Sequence, residues 1–341
     1  MHRVRWPVRL FFLGFLAFLL AEFIGFLHLN ATDAFANRCY QRERLSPATR
    51  QTIEAVLEVT RTKRCASAAR QLATTTTLML GGKDLTDLSP LSSLTHLKKL
   101  VLADNQIEDL SPLSNLTRLD ELDLSNNLAR DLAPLASLKN LRVLWLWNNG
   151  VSDLGPLSSL EKLDRLYLAQ NRVSDLRPLA RLARLTKLLL DENQIADLTP
   201  LSSLHGLSGL SLSRNRVRDL SPLASLVGLN ILIALDNQIA DIAPIREVRN
   251  LELLILSGNR IADLSPLTEL TLLTGLYLEN NRLTDVSSLA SLTNLLELGL
   301  SGNQITDIAP LKSLINLNKL GVAGNPLASP VCPLRPSVCQ L

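Results

Sequence analysis

Aromatic residues are scarce in this chain: three Trp, three Tyr and seven Phe make up 4% of its 341 residues. All seven phenylalanines (Phe11, Phe12, Phe15, Phe18, Phe23, Phe26, Phe35) and Trp6 fall within the first 36 residues. Only Tyr40, Trp145, Trp147, Tyr167 and Tyr277 remain for the rest, so the main core has to be aliphatic. Histidine is as rare. Beyond His2 and His28 there are only His96 and His205, and neither has a Ser or Cys partner at a fixed offset. With no glycine-rich phosphate loop either, no nucleophile–base pair and no nucleotide cradle can be assembled. The expectation is a protein that is not an enzyme and carries no cofactor. The four cysteines form no Cys-x-x-Cys pair and have no histidine near them, which speaks against zinc or a catalytic thiol. Net charge is +3, or +2 without the first 36 residues, which hold three Arg against Glu22 and Asp33. A chain so close to neutral lacks the concentrated basic face that nucleic acid requires.

What is abundant is leucine in a fixed frame. Eleven asparagines (Asn105, Asn127, Asn149, Asn171, Asn193, Asn215, Asn237, Asn259, Asn281, Asn303, Asn325) recur every 22 residues without insertion or deletion. Four residues after each of the first ten stands an aspartate, from Asp109 to Asp307. Prolines follow at the same period from Pro112 to Pro310, broken only at Ser288. A degenerate first copy has Lys83 at the asparagine place and keeps Asp87, Pro90 and Leu91. A fixed period in this range marks a solenoid, in which each unit buries its apolar face only against its neighbours.

Within a unit, Leu100-Val101-Leu102 alternates and reads as a short strand with both leucines inward. Twelve such strands stacked in parallel at roughly 4.8 Å give a sheet on the order of 55 Å long. The asparagine follows in a buried turn, where its amide can satisfy backbone donors and acceptors that the ladder leaves over. The aspartates read as acceptors of backbone N–H groups ahead of the next turn. A metal reading fails because no second oxygen ligand accompanies each carboxylate. Proline blocks sheet pairing, so the return side is expected to hold short 3₁₀ or irregular turns.

These residues resemble the leucine-rich repeat family in its 22-residue, internalin-like form, whose return side reads Asp-Leu-x-Pro-Leu. The resemblance covers about residues 76 to 327 and rests on eleven consecutive copies. It implies an α/β solenoid, a right-handed superhelix with a parallel β-sheet on its concave face and short convex turns. It also implies protein recognition on the concave face and no catalysis.

The ends differ from the middle. Arg3, Arg5 and Arg9 precede an apolar run from Leu10 to about Leu29, and Ala34-Phe35-Ala36 follows. This pattern describes a secretory signal over residues 1–36 with cleavage after Ala36; a retained membrane anchor is the rival reading. Arg38 before Cys39 does not suit a lipoprotein signal. Residues 37–75 are expected to cap the first repeat with a helix begun by Ser46 and Pro47, and with Ile53, Val56, Leu57 and Thr60 on one face. Twelve repeats span 76–327, and a proline-rich tail, 328–341, caps the far end. Four cysteines allow three pairings, and locality favours Cys39–Cys65 and Cys332–Cys339. With an export signal, such staples fit an oxidising compartment. The chain is expected to be secreted or periplasmic, or membrane-anchored if the leader stays on.

The residue four before each asparagine lies between the two inward leucines and therefore faces out of the concave sheet. That column includes Trp145, Tyr167, Leu189, Ile233, Ile255 and Tyr277, and the next outward column adds Trp147 and Leu235. Four of the five late aromatics thus stand where water is expected, and contiguous exposed apolar surface marks an interface. Trp145, Trp147, Tyr167, Leu189, Ile233, Ile255 and Tyr277 are the candidate partner-binding residues. Arg165, Lys187, Asp191, Glu192, Arg214 and Asp236 form a mixed polar rim that suits a protein partner. A glycan is the second candidate, and an envelope structural or adhesion role is the alternative to soluble recognition. The chain is expected to act as a monomer.

Overall fold

The computed structural model describes residues 34–329 and 331–340. Most of the expected leader therefore lies outside the described residues. The rest is built on one parallel sheet. Its strands β1 (Thr77–Met79), β2 (Lys99–Val101) and β3 (Glu121–Asp123) recur every 22 residues up to β12 (Lys319–Gly321). Each strand pairs with the next in unbroken sequence order. Register shifts by one full repeat at every step, so that Leu100 faces Leu122, Leu188 faces Leu210 and Leu298 faces Leu320. The central leucine of each strand is buried and its two neighbours look outward, as the alternation requires.

The return side carries one 3₁₀ turn per repeat, such as Ser111–Leu113, Thr199–Leu201 and Ala309–Ser313. Each is begun by the aspartate two residues before it. Asp109 Oδ1 accepts the Ser111 N–H at 2.8 Å, and Asp197 accepts that of Thr199 at 2.8 Å. Where proline is missing, Ser287–Ser291 is still 3₁₀ and Asp285 still accepts the Ser287 N–H at 2.9 Å. The aspartate is thus the constant of the turn, with proline an addition to it.

The asparagines tie one repeat to the one before. In Asn215, Oδ1 accepts the Ile195 N–H at 2.9 Å. Its Nδ2 lies 2.9 Å from the Leu190 carbonyl, 3.0 Å from that of Leu212 and 3.2 Å from that of Ser213. The same cross-repeat bonds are made from Asn105 at one end to Asn325 at the other. Among the described residues no buried side-chain polar atom lacks a partner. The residue before each asparagine adopts a left-handed backbone, for example Asp104 (φ 58°), Arg214 (φ 54°) and Gly258 (φ 71°). That conformation turns the chain out of the strand and favours Asn, Asp and Gly.

The caps are richer than expected. Ser46 Oγ accepts the Thr49 N–H and Pro47 opens the Pro47–Val59 helix, which buries Ile53, Val56 and Leu57. A second helix, Cys65–Thr74, was not expected from the sequence. It buries alanines (Ala68, Ala69) and Leu72, so its apolar stripe is too weak to stand out. Residues 34–40 are also helical and run across the expected cleavage point. Phe35, within the expected leader, is fully buried in the common core. Disulfides join Cys39 to Cys65 and Cys332 to Cys339. At the far end the tail adds a thirteenth strand, β13 (Cys339–Gln340), where twelve were expected. Leu320 pairs with Cys339 there, so the second disulfide closes a loop that ends on the sheet.

Two outcomes follow for stability. Asn215→Ala strands the Ile195 N–H, while the Leu190, Leu212 and Ser213 carbonyls keep their donors from Asn193, Asn237 and the Glu192 N–H, and the expected loss is about 1–3 kcal/mol, read from the urea midpoint. Hydrogen bonds from the following Ser N–H and hydroxyl hold Asp219, Asp263 and Asp285 below the ordinary aspartate value of 3.8. Carboxyls lowered in this way add stability that is complete above that value and drains away as pH falls through the folded value. Thermal melts should therefore be level from pH 5 to 7 (about one unit or more above these carboxyls) and should fall below about pH 4.

Candidate recognition surface

The concave face is set by β4 (Val143–Trp145), β5 (Arg165–Tyr167), β6 (Lys187–Leu189), β7 (Gly209–Ser211), β8 (Ile231–Ile233), β9 (Leu253–Ile255) and β10 (Gly275–Tyr277). All seven residues singled out in the sequence stand on this face and none belongs to the buried core. Trp145 pairs in register with Tyr167, and their rings stack with centroids 5.5 Å apart and planes 4° from parallel. Trp147 is 41% exposed beside them. Leu189 continues the row, half-buried.

Beyond Leu189 the surface drops to Gly209, Ser211 and Ser213. Asp191 holds this step by accepting from the Ser211 hydroxyl and from the Ser213 N–H at 2.9 Å. It then rises again at Ile231, Ile233, Leu235, Leu253 and Ile255, all half-buried. Val143, Ile231 and Leu253 were missed as patch residues. They stand six before their asparagines, one more step along the same alternation, and the outward face begins there.

Tyr277 differs from the other aromatics. Its hydroxyl donates to Glu297 Oε2 at 2.5 Å, and this bond together with burial pushes the phenol up to about 12. A Cβ on Gly275 would stand 3.4 Å from Tyr277 Cε2 and only 2.8 Å from Leu253 Cδ1. The missing side chain at Gly275 is therefore what lets Leu253 and Tyr277 close over that strand. Gly299 has a similar use: a Cβ there would fall 1.8 Å from Glu279 Oε1. Glu279 folds into that space and accepts from the Ser257 hydroxyl.

The two edges of the face differ in charge. On the side where the strands begin, Arg142, Arg165 and Lys187 are exposed; Arg165 pairs with Asp164 at 3.4 Å, and Lys99 with Glu121 at 2.6 Å at the start of β2 and β3. On the other side Arg214 bridges Glu192 at 2.9 Å and Asp236 at 3.6 Å, and Asn148 donates to Asn126 Oδ1 at 2.9 Å. The first edge thus offers free positive charge, and the second is largely internally neutralised. Among the described residues no cluster of His, Cys, Asp or Glu could hold a metal ion. His96 Nε2 lies 2.7 Å from the Leu72 carbonyl of the cap, and His205 sits near the Ser225 carbonyl.

A family model described as leucine-rich repeats in two copies matches residues 76–114, 95–137, 139–181, 249–291 and 293–336. No curated protein matches the chain in sequence. Among solved structures, an internalin (inlF) from Listeria monocytogenes is 37% identical, with 81% of this chain and 82% of that one covered and a TM-score of 0.77. Internalin C2 (inlC2) of the same organism is also 37% identical, over 58% of this chain and 88% of that one, at a TM-score of 0.55. The repeat ectodomain of the Arabidopsis thaliana membrane receptor kinase GASSHO1/SCHENGEN3, solved in complex with Casparian strip integrity factor 2, is 25% identical. It covers 76% of this chain and 37% of its own length, at a TM-score of 0.63. Repeat proteins of the internalin and receptor kind are protein-binding scaffolds. From the unbroken asparagine frame, the in-register sheet and these likenesses together, the chain belongs to the leucine-rich repeat family, in its internalin-like form.

Proposed function

We propose that this protein is an exported, monomeric, non-enzymatic recognition solenoid that binds a protein partner through the apolar strip on its concave face. The stacked Trp145–Tyr167 pair with exposed Trp147 beside it carries this reading. Two indoles and a phenol on neighbouring strands are costly in water, and these side chains dominate binding energy when an interface covers them. Leu189 extends this anchor, and Ile233 and Ile255 form a second apolar shoulder across the Gly209–Ser211 step. Tyr277, tied to Glu297, shapes the end of that shoulder rather than anchoring. The exposed Arg142, Arg165 and Lys187 suit a partner whose matching edge is acidic.

Export is supported by the basic and apolar start of the sequence and by two disulfides with no free cysteine among the described residues. The rival reading, an envelope protein held by its leader, shares the same surface and differs only in whether the chain is released.

Affinity capture with this protein, repeated with the Trp145→Ala/Trp147→Ala variant, tests the proposal. Loss of an anchor costs about 2 kcal/mol or more, so each ring should account for about a thirtyfold drop in affinity. Because both rings face outward, the variant should keep its melting temperature. A captured partner that binds the variant equally well would refute the concave-face reading.

A further inference from the structure

We propose that Phe35 is a residue of the exported domain, and that the leader is not removed after Ala36. In sequence, Ala34-Phe35-Ala36 has the small-x-small form that a signal peptidase reads, which would make Asn37 the first residue of the mature chain. The folded cap uses these residues in another way. Residues 34–40 are helical, and Gln41 N–H donates to the Asn37 carbonyl at 3.2 Å. Phe35 and Cys39 are one turn apart on this helix, share its inner face and are both 0% exposed. Cys39 is fixed by its disulfide to Cys65, the first residue of the Cys65–Thr74 helix. The staple therefore also fixes where Phe35 lands. Ala36, the residue on the amino side of the expected cut, packs partly buried against the same core.

Phe35 is the only aromatic side chain in the core of the described residues. Beside Ile53, Leu57 and Leu72, the cap residues in that core are small: Ala55, Val56, Ala68 and Ala69. The alanines cannot extend to refill the volume of a benzyl group, so its removal leaves a hole in the cap's share of the core. Cutting after Ala36 would also remove residues 34–36 from this helix.

Burial does not shield the bond from a peptidase that meets the chain before the cap folds. It identifies the residues that the folded cap needs, and these begin before Asn37. Thr32-Asp33-Ala34 has small residues at both recognition positions and would leave Phe35 as the first residue. An uncut leader also keeps it. Neither outcome touches the concave face, so this inference stands or falls separately from the recognition reading.

The test is the N-terminus of the wild-type protein after export from a bacterial cell, read by intact mass and terminal sequencing. A first residue at or before Phe35 is expected, and Asn37 as the first residue would overturn the proposal. A second measurement follows the rate at which dithiothreitol reduces Cys39–Cys65 in the exported chain. Phe35→Ala should speed that reduction by about tenfold or more, and Phe35→Leu should restore most of the protection. If Phe35→Ala is reduced no faster than wild type, Phe35 is not a structural part of the cap and the proposal fails.

Discussion

The structure depends on one interaction, the hydrogen bonding of a buried asparagine amide across two successive turns of the chain. Every repeat must leave its strand and enter the return stretch, and at that point its backbone groups lose their ladder partners. The amide oxygen takes an N–H from the previous repeat, and the amide nitrogen serves carbonyls of both repeats. A shorter or longer repeat would carry the amide past those partners. This is the physical reason that the 22-residue period admits no insertion from Asn105 to Asn325. Leucine packing supplies most of the stabilisation, yet it would tolerate some slippage that the amide does not.

A fixed register turns columns of the repeat into rows on a surface. Residues at one frame position lie side by side on neighbouring strands, so pairs 22 residues apart in sequence meet directly. Trp145 and Tyr167 stack for this reason, and Asn126 and Asn148 bond for the same one. The height of the concave face is then set by side-chain size. Aromatic and branched residues raise it, and Gly209 and Ser211 lower it between the two apolar shoulders. Recognition by such a surface needs no moving part, because a parallel sheet of this kind presents its side chains already in place.

The features legible in the sequence are those repeated often enough to define a frame. The asparagine and aspartate columns, the inward leucines, the 3₁₀ turns and the outward rings all came from periodicity. Single occurrences were harder to read. The Cys65–Thr74 helix buries alanines whose apolar signal is weak, and β13 pairs through two residues of a proline-rich tail. Phe35 lies next to a long apolar run in the sequence and shares a helical face with Cys39 in the fold. The left-handed residue before each asparagine left a trace in the row Asp104, Asn126, Asn148, Asp236, Gly258, Asn280, Gly302 and Gly324. Gln170, Glu192 and Arg214 adopt it as well, against their preference, because the following amide holds the turn.

The central claim is that this register directs the rings outward, and the chain contains a reporter for it. Once Trp6 is replaced by Phe, Trp145 and Trp147 are the only tryptophans left, so indole fluorescence comes from the concave face alone. Acrylamide quenching of that variant measures their exposure. The result expected is ready quenching, with Trp147 more accessible than Trp145, which stacks on Tyr167. Blue-shifted emission that acrylamide cannot reach would place both rings inside the leucine stack and would contradict the account.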